Sequence, residues 1–508
     1  MKKLLAVILT LAMVAAMALT ATAETAVDYS GVKLGAILLH DENSTYDLNF
    51  LNGIKEAAAN LGLEESQVII KTGIPESEEC TNAALDLIDE GCNVIFADSF
   101  GHEDFMIAAA QQNPDVEFCH ATGTKAHTEN LANFHNAFAS IYEGRYLAGV
   151  AAGLKLNEIK EAGKLKADHP VIGYVGAFTY AEVISGYTSF YLGAKSVCPD
   201  VTMNVQFTGS WYDETEEKNA AQALIANADL ISQHADSMGA PSACEDAGIP
   251  NVSYNGSTVE SCPNTFIVAS RINWAPYFEY ILTQKAKGEA IDTDWTGTIA
   301  TGSVVLTDVN EAAAAAGTVE KIAEVKAALE DGSLKVFDTA AEGFITVGGE
   351  ALTSYMADVN TDANFEKDTE AVADGYFHES EYRSAPYFDV QIDGITLLNA
   401  AFYSTDFVLD CHPGSRGGSP LLFRFFALAR REKRAPRESE ESGGSGRSGG
   451  IIPEERWRKR TWRRSWRWRC GGSRSGSVPC WPTTMWIWTC TRARSWPSWG
   501  RTAAARPP

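Results

Sequence analysis

Short apolar, β-branched runs alternate with amphipathic helical patterns along most of this chain, and this alternation is the strongest constraint on its fold. Apolar residues at i, i+3 and i+4 indicate helices, and short apolar runs bounded by turn residues indicate strands. Strands that alternate with helices form parallel sheets with right-handed crossovers. The alternation occurs in two series. It therefore predicts an α/β protein of two Rossmann-like lobes, each built on a parallel sheet, with a ligand cleft between them.

The predicted elements follow one another in order. The first series has strands at residues 32–39, 68–74, 93–99 and 116–122 and helices at 48–61, 77–90 and 104–113. The second has strands at 171–178, 202–209, 230–235 and 251–255 and helices at 180–197, 214–227 and 238–247. A helix at 141–155 joins the series, and a strand at 265–272 with a helix at 274–287 is expected to return to the first lobe. Further strands are predicted at 298–307 and 334–346, around a helix at 318–330.

These elements divide the chain into domains. The N-terminal lobe is expected to comprise residues 30–137 and 268–295, and the C-terminal lobe residues 138–267 and 296–403. Residues 358–388 are acidic and aromatic with weak periodicity, which predicts a long surface extension of the second lobe.

Charge separates an acidic body from a basic tail. The formal net charge is −24, but residues 405–508 carry 21 Lys and Arg against 8 Asp and Glu, which leaves the first 404 residues at −37. Such a body argues against nucleic-acid binding, whose affinity comes from phosphate neutralisation. The tail, residues 404–508, is rich in Arg and Trp. It is interpreted either as a nucleic-acid or membrane-surface patch or, as we favour, as the product of a shifted reading frame in GC-rich DNA, because Arg replaces Lys, and Trp, Gly, Ser and Pro become frequent. Disorder is expected because the tail lacks periodic apolar residues.

The N-terminal residues predict export. Lys2 and Lys3 precede an apolar stretch at residues 4–19, and the small residues 21–23 precede Glu24. This is the pattern of a signal peptide with its cleavage site, and the stretch is short for a membrane anchor. Residues 1–23 are therefore interpreted as a signal peptide. The mature protein is expected in the periplasm or at the outer face of the cell membrane.

The cysteines and histidines predict no metal site. Cys119 and Cys198 lie in apolar contexts and are expected in the core, whereas Cys244 and Cys262 could form a disulfide in an exported protein. The histidines are scattered singly and no spacing matches a zinc site, so neither a metal nor a cofactor is expected.

Two matches to enzyme motifs are rejected. Residues 444–449 fit G-x-G-x-x-G and residues 446–450 fit G-x-S-x-G, but both lie in a Gly/Ser-rich part of the tail. Neither has the preceding strand and following helix that its chemistry requires. The body contains no P-loop and no H-E-x-x-H motif, so the chain is not expected to be an enzyme.

Aromatic and carboxylate side chains follow the predicted strands, where open α/β folds bind their ligands. The candidate ligand-binding residues are Tyr46, Ser99, Phe100, Gly101, Glu182, Trp211, Asp236, Ser237 and Trp274. A flat ring would stack on the aromatic members, while Glu182 and Asp236 accept hydrogen bonds from its edge. The alternative, that a given aromatic residue packs inside its own lobe, stays open for each of them.

Local motifs between residues 32 and 338 are jointly specific. They are densest at residues 97–102, 119–123 (CHATG), 142–150 (YEGRYLAGV), 172–190, 209–213 and 233–237. In these motifs the chain resembles the basic membrane protein family of substrate-binding proteins for ABC transporters. The resemblance implies a type I periplasmic-binding fold and a receptor for purines or purine nucleosides. The tracts 99–101, 209–211 and 233–237 resemble the branch associated with free adenine.

The resemblance also implies site residues. The positions that stack on or face the base are occupied here by Tyr46, Trp211, Asp236 and Trp274. The sequence departs from the nucleoside-binding members at two positions that bear on ribose recognition: Asp47 stands where they often carry Asn, and Asn255 where they often carry Asp. Residues 341–403 lie outside the usual family pattern, and there is no Cys at the cleavage site for a lipid anchor.

The sequence thus predicts an exported receptor that closes two lobes around a purine base or nucleoside and delivers it to an ABC transporter permease. It is expected to be a monomer that binds no nucleic acid and meets the membrane only through the transporter. Two alternatives stay open. One is an extracellular purine sensor that docks a signalling partner, and the other is a nucleoside-processing α/β enzyme with Glu182 or Asp236 as general base.

Overall fold

A computed structural model describes residues 27–360 and 367–399, in which strands and helices alternate through both lobes. The strands of the two main sheets include β1 (Leu34–Ile37), β2 (Val68–Lys71), β3 (Val94–Ala97), β4 (Glu117–Ala121), β5 (Phe134–Ala139), β6 (Val171–Gly176), β7 (Thr202–Phe207), β8 (Leu230–His234), β9 (Asn251–Tyr254), β10 (Phe266–Ile272), β11 (Asp294–Gly297) and β12 (Val304–Leu306). Shorter strands follow: β13 (Thr346–Val347), β14 (Glu350–Ala351), β15 (Met356–Ala357), β16 (Thr369–Glu370), β17 (Val372–Ala373), β18 (Tyr376–Phe377) and β19 (Ile395–Leu397). The helices are α1 (Thr45–Leu61), α2 (Glu78–Asp89), α3 (Glu103–Gln112), α4 (Ala126–Glu129), α5 (Ile141–Glu161), α6 (Ala181–Val197), α7 (Glu214–Ile225), α8 (Gly239–Ala247), α9 (Ala275–Lys287) and α10 (Thr318–Glu330).

Each lobe is built on one sheet. The first lobe has the strand order β11-β5-β4-β3-β1-β2, and all its neighbouring strands are parallel. The second has the order β12-β10-β9-β8-β6-β7-β19, in which only β12 is antiparallel to its neighbour. This arrangement confirms the predicted α/β fold with two parallel-sheet lobes.

Helix α1 shows how the sequence positions the cleft side of the first lobe. The helix begins after Ser44, whose Oγ accepts a hydrogen bond from the backbone N–H of Asp47, and ends at Gly62, whose φ of 68° suits glycine. Its apolar face packs against α9, and Gly53 allows the close approach, because a Cβ there would lie 2.7 Å from the Cβ of Trp274. The first turn of α1 is thereby held at the carboxyl end of β1.

Three elements differ from the sequence prediction. Strand β5 was not predicted, because His135 and Asn136 interrupt its apolar run, although both side chains are buried and hydrogen-bonded. The prediction that the strand at residues 265–272 returns to the first lobe is wrong, since β10 pairs with β9 and the chain crosses only after Ile272. The strand predicted at 334–346 is irregular up to β13.

Residues 336–360 and 367–399 form a packed segment, so the described residues do not form the surface extension predicted at residues 358–388. The ring of Phe337 stacks on that of Phe388 at 4.4 Å, and both side chains are buried. Strand β19 joins the edge of the second sheet, while the backbone N–H of Ser384 donates to Asp294 on β11 of the first lobe at 3.0 Å. Aromatic residues without clear periodicity therefore provide a small core that touches both lobes.

The cysteines of the body are buried and unpaired. Cys119 and Cys198 lie in the core as predicted, whereas the disulfide suggested for Cys244 and Cys262 is not formed. The predictions for residues 1–23 and for residues 404–508 fall outside the described residues. Within the described ranges, no helix combines the length and the apolar character needed to cross a membrane.

Candidate functional site

A cavity lies between the two lobes, at the carboxyl ends of their strands. The space between its lining atoms measures about 380 Å³ when the adjoining open solvent is included, and a water-sized sphere has about 20 Å³ in which to move. Its lining residues are Leu39, His40, Tyr46, Asp47, Ser99, Phe100, Thr122, Glu182, Trp211, His234, Asp236, Tyr254 and Asn255. Both lobes contribute, from strand ends and from the first turns of α1 and α6. This is where open α/β folds bind ligands, and the cavity is the candidate functional site.

Most of the residues predicted to bind ligand meet in this cavity. The predicted residues that line it are Tyr46, Ser99, Phe100, Glu182, Trp211 and Asp236. Gly101 and Ser237 do not line it. The backbone N–H of Gly101 donates to Glu76 at 2.7 Å, and that of Ser237 donates to Glu217 at 3.3 Å. These two residues shape the loops beside the cavity.

Trp274, predicted to stack on the ligand, does not line the cavity and lies in the core of the first lobe. Its side chain is 1% exposed, and its ring stacks on Phe50 with centroids 4.5 Å apart. Phe96, Phe138 and Tyr277 surround it further. The residue that precedes α9 is therefore a core residue of the first lobe.

Aromatic rings from both lobes flank the cavity. Trp211 is half-buried and packs edge-on against Phe178 at 5.0 Å. Phe100 of the first lobe meets Tyr180 of the second at 5.2 Å. The hydroxyl of Tyr46 donates to the backbone oxygen of Asp98 at 2.7 Å, so its ring is held in place. Burial, with Glu182 nearby, raises the pKa of Tyr46, which keeps the hydroxyl protonated.

The carboxyl groups of the cavity have different hydrogen-bond environments. Asp47 accepts from the backbone N–H of His40 at 2.8 Å and from the Ser44 hydroxyl at 2.5 Å. Burial alone would raise its pKa, but the imidazole of His40, 3.5 Å away, together with these two bonds outweighs burial and lowers it. Asp236 accepts from the Asn255 side chain at 3.2 Å, and burial followed by the charge of Glu217 raises its pKa.

Glu182 opens α6 and faces His234. Its Oε1 lies 3.4 Å from Nε2 of His234, and its side chain is 12% exposed. Burial lowers the pKa of His234, although the neighbouring Glu182 acts in the opposite direction. A neutral imidazole that donates to Glu182 leaves the second carboxylate oxygen available to a ligand.

The two lobes touch around the cavity. The backbone N–H of Thr45 on α1 donates to the backbone oxygen of Asp236 at 3.2 Å. The side chain of Asn49, one turn further along α1, donates to the backbone oxygen of Asn255 at 2.8 Å. The cleft is therefore closed, with hydrogen bonds between lobes directly beside the candidate site.

Glu217 supports two cavity loops from behind. This buried residue of α7 accepts from the backbone N–H of Asp213 at 3.1 Å and from that of Ser237 at 3.3 Å. Asp213 follows the loop of Trp211, and Ser237 follows Asp236. Burial raises the pKa of Glu217 to about 7. The carboxyl group of Glu217 thus links the loop that carries Trp211 to the loop that carries Asp236.

The sequence analysis left out several lining residues. Thr122 follows β4 and Tyr254 ends β9, so the strand-end rule itself could have found them. His234 lies within the tract 233–237, but a single histidine carries no signal of its role until its partner is known. In the described part of the chain, no group of three or more His, Cys, Asp and Glu residues could hold a metal ion.

Comparison with known proteins agrees with this geometry. The sequence profile of the family described as "Bmp: ABC transporter substrate-binding protein PnrA-like" matches residues 38–334. The chain belongs to this family. It therefore belongs with the substrate-binding proteins, and the resemblance drawn from its motifs is confirmed.

Relatives named for different ligands match parts of the chain. It is 33% identical to a purine-binding protein of Brucella abortus (strain 2308), over 44% of this chain and 60% of the relative. It is 33% identical to a putative ABC transporter glucose-binding protein of Haloferax volcanii, over 40% and 49%. It is 27% identical to the ABC transporter nucleoside-binding protein BmpA of Lactococcus lactis subsp. cremoris, over 39% and 54%. The chain thus spans about half to 60% of the length of these relatives.

Solved structures show the same fold. The crystal structure of an ABC transporter solute-binding protein from Aeropyrum pernix K1 matches with a TM-score of 0.51 at 16% identity, over 61% of this chain and 94% of that one. At this identity the match concerns the fold alone, and it confirms the predicted type I periplasmic-binding architecture.

Proposed function

We propose that this protein is an exported receptor that captures a purine base or nucleoside between its lobes and delivers it to an ABC transporter permease. The observation that carries this proposal is the meeting of aromatic rings and carboxylates from both lobes in one closed cavity. Trp211 and Tyr46 offer ring faces, and Glu182 and Asp236 offer acceptors to the edge of a base.

The chemistry of the cavity favours a planar ligand with N–H donors. A base stacked on an aromatic ring gains about 1–3 kcal/mol, and a hydrogen bond to a charged acceptor adds about 1.5–3 kcal/mol. Three carboxyl groups line the cavity, those of Asp47, Glu182 and Asp236. A phosphate would be repelled there, so we propose a base or nucleoside and not a nucleotide.

Asp47 bears on the choice between base and nucleoside. Both of its carboxylate oxygens are already hydrogen-bonded within the first lobe, to Ser44 and to the backbone of His40. The side chain of Asn255 is likewise engaged with Asp236. These are the positions at which the sequence departs from nucleoside-binding relatives, and their internal bonds support a free base as the preferred ligand.

Closure of the two lobes around the ligand is the conformational change that delivery to a permease requires. A ligand that touches both lobes stabilises the closed form by its differential affinity for it. The hydrogen bonds of Thr45 and Asn49 to the second lobe would form with each closure. We propose that a monomer presents this closed form to the permease outside the cell membrane, as a receptor without catalytic activity.

The test begins with the ligand that the cell itself provides. The full chain is purified without denaturation, its small molecules are extracted and identified by mass spectrometry, and the emptied protein is titrated with adenine and with glucose. We expect a purine in the extract and heat on titration with adenine. A sugar in the extract, with heat from glucose and none from adenine, would replace the purine proposal by a sugar receptor on the same fold.

A further inference from the structure

Arg145 is a fully buried cation beneath the candidate site. It lies on α5, and its side chain has no accessible surface. Nη2 donates to the backbone oxygen of Gln233 at 3.2 Å and to the hydroxyl of Tyr174. Nε and Nη1 have no hydrogen-bond partner among the described residues, and no described carboxylate lies within ion-pair distance. A buried charge with so few partners needs another source of stabilisation.

The faces of aromatic rings supply part of the stabilisation that the buried Arg145 needs. The guanidinium carbon lies 4.5 Å from the ring centroid of Tyr254 and 5.4 Å from those of Tyr174 and Phe190. A cation over an aromatic face is attracted by the negative potential of the ring, most strongly where water is excluded. Of these three rings, only that of Tyr254 also lines the cavity.

From Tyr254 a chain of contacts reaches the ligand acceptor. The Tyr254 ring packs on the imidazole of His234 with centroids 4.5 Å apart. Nε2 of His234 lies 3.4 Å from the carboxylate of Glu182. The contacts thus run from Arg145 through the Tyr254 ring to His234, and from His234 to Glu182, which lines the cavity.

The surroundings of Nδ1, the other imidazole nitrogen of His234, indicate the charge state of the ring. Nδ1 of His234 is buried and has no hydrogen-bond partner among the described residues. It points at Gly186, where a Cβ would come within 2.6 Å of it. A proton on Nδ1 would bury an unpaired N–H group, which is costly. The geometry therefore fits a neutral imidazole that keeps its proton on Nε2 and donates it to Glu182.

We propose that Arg145 is a positioning residue for ligand specificity: its buried charge keeps His234 neutral, so that Glu182 remains a carboxylate acceptor for the N–H edge of the ligand. This inference rests on the proposed function. The charged and titratable groups around His234 are Arg145 on α5, Glu182 on α6, Tyr254 on β9 and Asp236 on the following loop.

The electrostatics agree with the geometry. Burial lowers the pKa of His234, the neighbouring Glu182 raises it, and the charge of Arg145 adds a smaller influence in the same direction as burial. Without Arg145, one of the two influences that disfavour a charged imidazole is removed, so we expect His234 to accept a proton beside Glu182 at a higher pH than in the wild type. A carboxylate neutralised in this way is a weaker acceptor, so ligand affinity would become dependent on pH.

The first arm of the test reads the protonation of His234 directly. The full chain is prepared with ¹⁵N-labelled histidine, His234 is assigned by comparison with His234→Asn, and its imidazole signals are followed from pH 8 to pH 5.5. In the wild type we expect a neutral imidazole with its proton on Nε2 throughout. In Arg145→Met we expect protonation within this range, and in Arg145→Lys a return to the neutral form.

Arg271→Met is the matched control, because Arg271 is a half-buried arginine of the same lobe that does not line the cavity. It should leave His234 neutral. A wild-type His234 that is charged at pH 6.5 would overturn the proposal even if the Arg145 variants failed to fold. The proposal would also be overturned if Arg145→Met folds and its His234 titrates as in the wild type.

The second arm measures affinity for adenine by calorimetry at pH 8 and pH 6. Loss of a hydrogen bond to a charged acceptor corresponds to about 10- to 150-fold. We expect Arg145→Met to lose at least about tenfold more affinity at pH 6 than at pH 8, and Arg145→Lys to lose much less. Equal losses at both pH values would reject the specificity role. If the wild type bound none of adenine, hypoxanthine, guanine, adenosine and guanosine, the proposed function would be rejected instead, and the imidazole measurement would still test the charge state of His234.

Discussion

At the scale of residues, two tryptophans that follow strands lie in different environments. Trp211 stays half-buried at the cavity, with its edge against Phe178. Trp274 is enclosed by phenylalanines and tyrosines of the first lobe. We therefore predict that Trp211 acts in ligand binding and Trp274 in stability, and substitutions should separate the two roles.

Trp211→Ala should lower purine affinity by about 5- to 150-fold, because a stacked ring contributes about 1–3 kcal/mol. The loss should be similar for all purines, since every base has a π-face. Isothermal titration calorimetry measures it, with Trp211→Phe as the control that keeps an aromatic face. An alanine variant that binds as tightly as the wild type would remove Trp211 from the site.

Trp274→Ala should lower the free energy of unfolding by about 3–5 kcal/mol, because it empties a packed core position. Urea unfolding at constant pH measures this change. We expect the folded variant to lose less purine affinity than Trp211→Ala. The reverse order of the two affinity losses would show that Trp274 contacts the ligand.

The local sequence could not have distinguished these residues. Both follow a predicted strand, and both match base-facing positions of the family. What buries Trp274 is the close packing of α9 on α1, which depends on Gly53 and Phe50 far away in the chain. The strand-end rule selects which residues reach the cleft side of a sheet, but packing between elements decides which of them face the ligand.

At the scale of elements, α7 holds the loops of the second lobe through Glu217. Its carboxyl group is buried, and burial raises its pKa from 4.5 to about 7. Between these pH values the folded state keeps a proton that the unfolded chain has released, so raising the pH destabilises the fold. Below pH 4.5 both states are protonated, and this contribution vanishes.

Glu217→Gln should therefore gain stability relative to the wild type as the pH rises from 5 to 8, by up to about 3 kcal/mol. Urea unfolding of both proteins at the two pH values measures the change. Glu214→Gln, an exposed position in the same helix, serves as the control and should show no such trend. A difference between Glu217→Gln and wild type that is the same at both pH values would contradict the buried, protonated carboxyl group.

Most elements could be predicted from the sequence, because periodicity reports burial on one face or both. The apolar pattern did not reveal elements whose buried residues are polar. Strand β5 carries His135 and Asn136, whose side chains are buried because the fold supplies hydrogen-bond partners. Residues 336–399 lack a clear period because rings such as Phe337 and Phe388 pack on each other and on both lobes, not on one sheet.

At the scale of the whole molecule, the described fold reaches strand β19, which adds to the edge of the second sheet. The change of charge and of Lys to Arg begins shortly after it. We therefore predict that a chain ending at Tyr403 unfolds in urea at the same midpoint as the full chain and binds purine equally well. A chain ending at Gly332 is the contrasting variant, since it lacks the aromatic core of residues 336–399 and should be strongly destabilised. A Tyr403 chain that fails to fold would show that the basic tail belongs to the native domain.

The central claim is that the two lobes close on a purine whose N–H edge is read by Asp236. Calorimetric titration of adenine, hypoxanthine, guanine, adenosine and guanosine against the wild type and Asp236→Asn tests it most directly. Asn keeps the size of the side chain but replaces one carboxyl oxygen by an NH₂ group, so we expect a large loss, about 10-fold or more, for purines that donate an N–H there and a small loss for those that accept. No heat from any purine, together with binding of a sugar or an amino acid, would contradict the account.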